Sequence, residues 1–309
     1  MSKHLHRNGT AFMVAGGLLM GTLGVFLEQA GQHPLTAVFF RCLFGAAALA
    51  VFALLARRVH DLRPNARGLA MAGVTGLLMT AMWATFFAAI QWTSIALATV
   101  TFHLQPLWLM LAGAWFLGER LGAARLLALA AALLGLTLAT GLLQTDWPAD
   151  QPLFGWGLAL AVFGSVCFAA VSLIAKQQRA MSSLALTFWQ CTFGTLLLVW
   201  WPLVHGLPAQ WGDWPPAVWA WLIGLGVIHT GLAYVLIYSG MQRLPAGRIA
   251  LLQFVYPISA ILIDATVYGR VLAPSQWAGV LLMGAALWWA GQPAVEDPGW
   301  RWPLRGRRR

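Results

Sequence analysis

Apolar runs of about 18 or more residues recur along the whole chain, separated by short polar or charged joints, and each is long enough to cross a hydrocarbon layer as a helix. They are too long for barrel strands of about ten alternating residues, so the spans are expected to be helical. Ten are read, at 10–28, 35–56, 68–91, 94–117, 123–143, 154–176, 183–204, 217–241, 246–268 and 275–291. The first resembles a signal peptide in having Lys3 and Arg7 before an apolar run, but no small-residue cleavage pattern follows before Glu28. It is expected to be retained.

The pattern repeats. Phe39-Phe40-Arg41-Cys42-Leu43-Phe44-Gly45 returns as Phe188-Trp189-Gln190-Cys191-Thr192-Phe193-Gly194, and Leu104-Gln105-Pro106 with Gly118-Glu119 returns as Val255-Tyr256-Pro257 with Gly269-Arg270. Thr80 and Thr230 lie between, at the same spacing. Residues 1–143 and 154–291 therefore form two five-helix blocks, joined by a polar linker at 144–153 and followed by a tail at 292–309. Because five is odd, the second block enters from the opposite side. The expected fold is an all-α membrane protein with ten transmembrane helices in two inverted five-helix repeats, and a binding site where they meet.

Composition sharpens this. The chain is 60% hydrophobic and 9% charged, with a mean hydropathy of +0.72, too few charges to cover a soluble surface. Its net charge of +10 is unevenly placed: every Lys and Arg except Arg41 and Arg270 falls in the joints on one side, including Arg57, Arg63, Arg120, Lys176, Arg243 and the tail. Asp146, Asp150 and Asp213 fall on the other side. That bias predicts a multi-pass protein of a bacterial-type inner membrane with both termini cytoplasmic. The tail is expected on lipid headgroups rather than nucleic acid. Among 18 tryptophans, Trp147, Trp156, Trp200, Trp201, Trp211, Trp214, Trp219 and Trp277 read as an outer aromatic belt, with Trp288 and Trp289 at the inner edge. Trp83 and Trp189 fall within spans instead. Cys42, Cys167 and Cys191 lack metal-ligand spacing, and no cofactor or metal is expected.

Polar side chains inside spans are costly and are the functional candidates. Arg41 lies well inside the second span; its planar guanidinium suits a carboxylate, the competing readings being outward snorkelling or an ion pair with Glu28. Pro106 and Pro257 break the fourth and ninth spans at corresponding places, the best pointer to a central site. Around Pro106, a helical wheel puts Thr101, Gln105 and Trp108 on one face and His103 elsewhere; Gln253 and Tyr256 occupy the matching stretch. Thr80, Trp83 and Phe87 in the third span and His229, Thr230, Tyr234 and Tyr238 in the eighth complete an aromatic, amphipathic cavity, for which simple packing is the alternative. Asp264 and Arg270 read as a local pair.

On these residues the chain resembles the EamA-type permeases of the ten-span drug/metabolite transporter superfamily. The resemblance is carried by the duplicated unit, Phe40-Arg41-Cys42, the run from Ala98 through His103-Leu104-Gln105-Pro106 to Gly118-Glu119-Arg120-Leu121, and Gly135. It implies export of an amino acid or another small organic metabolite by alternating access. One departure is Arg270 after Gly269, where the family repeats its acidic residue, so the two corners are not expected to share one role. No HExxH, GxSxG, Walker A or CxxC motif is present, and the expectation is a transporter of a small molecule in a lipid bilayer, not an enzyme. A cationic-drug exporter and a membrane-embedded enzyme are the alternatives. The sequence is compatible with a monomer and leaves the oligomeric state open.

Overall fold

The computed structural model describes residues 2–144 and 152–291. Trp147, Asp146 and Asp150, with most of the expected linker, and the basic tail at 292–309 lie outside the described residues. We number the spans α1 (Asn8–Ala30), α2 (Pro34–Leu55), α3 (Ala66–Trp92), α4 (Ile95–Leu117), α5 (Ala123–Ala139), α6 (Phe154–Gln177), α7 (Ser183–Val204), α8 (Pro216–Met241), α9 (Ala246–Val267) and α10 (Pro274–Ala290). Eight are long and apolar enough to cross a membrane by length and composition. The last helix of each repeat, α5 and α10, has 17 residues, or about 25 Å at 1.5 Å per residue. No strand forms among the described residues.

Local chemistry sets the helix ends. Asn65, Ser94 and Ser182 accept the N–H groups of Gly68, Leu97 and Ala185 at 2.7, 3.1 and 3.1 Å, satisfying donors that have no partner within the helix. Pro34 opens α2 where its missing N–H costs nothing. Gly118 ends α4 with φ +64°, a left-handed conformation that favours glycine.

Helix packing runs almost entirely between the repeats. α5 packs on α10, α2 on α7 and α4 on α9; α1 on α8 is mirrored by α6 on α3, α2 on α8 by α7 on α3, and α1 on α9 by α6 on α4. Each pairing is its own image, or has an image, under exchange of the two halves. That is the signature of a pseudo-two-fold axis between inverted repeats. At the α5–α10 crossing a Cβ on Gly135 would lie 2.7 Å from the carbonyl oxygen of Gly279, so the backbones touch directly.

Four interruptions shape the interior. α4 breaks at His103–Leu104 and α9 at Gln253–Phe254, each within four residues before its proline. α1 is also broken, at Thr22, and α8 carries a π-helical stretch over Leu225–Leu232; no proline marks either place. The tryptophans divide. Trp156, Trp200, Trp277 and Trp288 are 47–71% exposed, as a belt requires. Trp211, Trp214 and Trp219 are half-buried and pack around Phe40 with ring centroids 5.3–5.8 Å away. The α7–α8 connection and the start of α8 thus fold back over the head of α2, which hydropathy alone does not register.

Candidate functional site

The two proline breaks meet at the centre of the bundle. The amide of Gln105, at the α4 break, donates through Nε2 to Oε1 of Gln253, at the α9 break, and Gln253 Nε2 donates to Ser172 Oγ of α6 at 3.4 Å. Beside this bridge lies a cavity of about 130 Å³. His103, Gln105, Gln253 and Tyr256 line it from the breaks, Trp83 and Phe86 from α3, and Tyr234, Ile237 and Met241 from α8. Met13, Met20 and Phe168 add apolar wall from α1 and α6. The His103 Nδ1–H donates to the carbonyl of Thr99 at 2.8 Å, which leaves Nε2 as an acceptor, and the ring stacks on Tyr256. Gln105 Oε1 is buried with no protein partner.

A smaller chamber of about 30 Å³ adjoins it, with Trp83 and Tyr234 common to both linings. Arg41, Cys42, Thr80, Gln190 and Thr230 line this chamber. Arg41 is 2% exposed. Its Nε donates to Thr230 Oγ1 at 2.9 Å and its guanidinium lies 4.6 Å from the centroid of the Trp83 ring. No salt bridge joins it to Glu28, whose side chain is exposed. Nη1 and Nη2 are buried without a protein hydrogen-bond partner. The indole face returns about 0.5–2 kcal/mol by cation–π attraction. That does not offset a charge in the span, which costs at least about 2.5 kcal/mol on insertion scales.

Of the residues singled out in the sequence, Trp83, His103, Gln105, Tyr234, Gln253 and Tyr256 line the larger cavity, and Arg41, Thr80, Trp83 and Tyr234 the smaller. Four line neither. Phe87 stacks behind Trp83 at 5.6 Å. Thr101, in the last turn before the α4 break, is not among the residues lining either cavity. His229 is fully buried against α1, its Nε2 2.8 Å from Thr22 Oγ1. Tyr238 is fully buried, its hydroxyl donating to Gln190 Oε1 at 2.6 Å. The helical-wheel reading is corrected as well: Trp108 donates to Ser165 Oγ of α6 at 2.9 Å, while His103 reaches the cavity. A wheel assumes one continuous helix, and the backbone changes direction between Phe102 and Gln105. Gln190 and Ser172 were missed. Gln190 had a signal, since it occupies the position of Arg41 in the second repeat; Ser172 had none.

An all-helical membrane protein of two inverted repeats, with a cavity between its halves and paired broken helices beside it, has the architecture of a membrane transporter. Comparison with known proteins gives the family. The profile of the EamA-like transporter family matches the chain twice, over residues 7–141 and 155–291, and the chain belongs to that family. An uncharacterized transporter of Archaeoglobus fulgidus is 29% identical over 286 residues, covering 92% of this chain and 97% of its own. The uncharacterized transporter YxxF of Bacillus subtilis is 25% identical over 275 residues, covering 89% and 86%. A solved crystal structure with 21% identity superposes with a TM-score of 0.76 over 92% of this chain and 96% of its own, and shares the fold.

Proposed function

We propose that this EamA-family transporter carries a small organic metabolite, such as an amino acid, outward across the cytoplasmic membrane by alternating access around the central cavity. The observation that carries the reading is the cavity itself. It lies between the repeats at both broken helices, where polar groups (His103, Gln105, Gln253 and Tyr256) converge within an otherwise apolar and aromatic wall. An apolar body with a few hydrogen-bonding groups matches that lining. Outward direction is taken from the resemblance, and cytoplasmic termini from the one-sided basic joints. The net positive charge of Arg41 beside the cavity favours such a metabolite over a cationic drug.

The test is flux of a broad panel of labelled solutes into and out of vesicles holding the pure protein. Gln105→Ala and Tyr256→Ala should lower transport of the responding solute while leaving the amount of folded protein unchanged. A panel with no responding solute, or full activity in both variants, defeats the reading.

A further inference from the structure

We propose that the small chamber around Arg41 is a binding site for a carboxylate, so that the cargo is an organic acid with an apolar body. This rests on the transporter reading above and adds to it the chemical class of the cargo. Three buried hydrogen-bond donors on residues lining this one chamber have no protein partner: Nη1 and Nη2 of Arg41 and Nε2 of Gln190. The neighbouring groups are already committed. Arg41 Nε is held by Thr230, Gln190 Oε1 accepts from Tyr238, and the hydroxyls of Thr80 and Thr230 donate to the carbonyls of Gly76 and Leu225 at 3.0 and 3.1 Å. What is left over is donor capacity and a positive charge. No Asp or Glu is among the residues lining either cavity.

Geometry narrows the ligand further. A guanidinium offers two parallel N–H groups in one plane, the complement of the two oxygens of a carboxylate. The chamber, at about 30 Å³, has room for roughly two water-sized atoms, enough for those oxygens and not for a bulky head. Trp83 and Tyr234 belong to both linings, so a body attached to the acid would pass between them into the larger cavity, walled there by Met20, Phe86, Phe102 and Phe168. The two repeats place Arg41 and Gln190 at equivalent positions and both at this chamber. The duplicated scaffold therefore requires no charge here, and the guanidinium is a specific addition in one half.

The experiment uses three probes with the same phenyl body: 3-phenylpropionate, phenethylamine and phenylalanine. Thermal unfolding of the purified full-length protein is followed with each in chloride-free detergent buffer, so that chloride does not compete for Arg41. The acid should raise the midpoint with saturation and phenethylamine should not, while phenylalanine should follow the acid. Arg41→Gln should weaken the acid's apparent affinity about tenfold or more, with Arg41→Lys intermediate because a point charge lacks the planar fork. Gln190→Leu combined with Tyr238→Phe, read against Tyr238→Phe alone, removes the donor without touching the charge or stranding a hydroxyl and should weaken it several-fold, which keeps the test open if Arg41→Gln does not fold. Stabilisation by the amine equal to that by the acid, an unchanged acid response in both variants, or no response to the acid overturns the site. Vesicle flux separates this from the broader reading. Transport of some solute with no acid binding overturns only the carboxylate site; acid binding that depends on Arg41 without flux of any solute overturns only the transport reading.

Discussion

Glu119, at the end of α4, ties the first repeat to the second through Lys176, at the end of α6, with Oε1 2.9 Å from Nζ. Its other oxygen accepts the backbone N–H of Ala246, which opens α9, at 2.6 Å, and Lys176 Nζ also donates to the carbonyl of Leu244 at 2.9 Å. One carboxylate thus holds three helix ends together and neutralises the positive end of the α9 dipole. The equivalent corner in the second repeat is different: Arg270 pairs at 2.9 Å with Asp264 of the helix just before it, and both are exposed. The two ends of the bundle are therefore closed by unlike means. Glu119→Ala should destabilise by about 1.5–3 kcal/mol, the range for hydrogen bonds to charged groups. Glu119→Gln, which keeps an acceptor for Ala246, should cost less, and Arg270→Ala should fall within about 1 kcal/mol, as exposed pairs do. Denaturant unfolding of the three variants in one detergent checks the order. Equal losses at Glu119 and Arg270 would contradict it.

The Gln105–Gln253 bridge spans the seam that the proposed alternating access would have to open. Losing it through Gln105→Ala should cost about 1 kcal/mol of stability, as interhelical polar contacts in membranes do. Transport should fall much further than that, because the same amide lines the cavity. Gln253→Ala should behave alike, and the double variant should cost less than the sum of the two single changes, since each already breaks the shared bond. Initial flux and unfolding midpoint, measured on the same preparations, separate the two effects. A transport loss that merely tracks loss of folded protein would make the bridge structural.

The spans, the repeat and the two proline breaks are written in local signals, namely apolar run length, fixed spacing and the missing N–H of Pro106 and Pro257. Those are legible in one dimension. The break at Thr22 and the π-helical turn at Leu225–Leu232 are not, because they are set by how α1 and α8 press together. The same limit explains the site. Depth in a span marks Arg41 as costly, but whether Glu28, a carbonyl or an indole lies beside it depends on which helix α2 packs against. A periodicity argument correctly groups Trp108 with Gln105 only while the helix is continuous. Hydropathy likewise cannot tell Trp211 folded over Phe40 from Trp200 facing outward, since both are aromatic residues at the end of a span.

The charge bias makes a topological prediction. Arg63, between α2 and α3, should lie on the cytoplasmic side, and Asp213, between α7 and α8, on the opposite side. With the native cysteines replaced, Asp213→Cys in intact cells should react with a membrane-impermeant thiol reagent, and Arg63→Cys should react only after the membrane is opened. Labelling of Arg63→Cys from outside would invert the orientation.

Thr22 provides the last prediction, at a break that no proline explains. Its hydroxyl lies 2.9 Å from the Leu19 carbonyl, to which it can donate, and 2.8 Å from His229 Nε2, a hydrogen bond whose direction follows the imidazole tautomer. One side chain thus bonds to the bend in α1 and to Nε2 of a fully buried histidine in the π-helical stretch of α8. Thr22→Val keeps the shape and removes both bonds, leaving His229 Nε2 unpaired in the core. It should cost about 1–3 kcal/mol, the penalty for a buried polar group without a partner. Thr22→Ser restores the hydroxyl and should recover most of that. If Thr22→Val instead matches the parent protein in denaturant unfolding, the bend is held by packing, with Phe26 against Trp221 and His229 as the remaining contacts that could hold it.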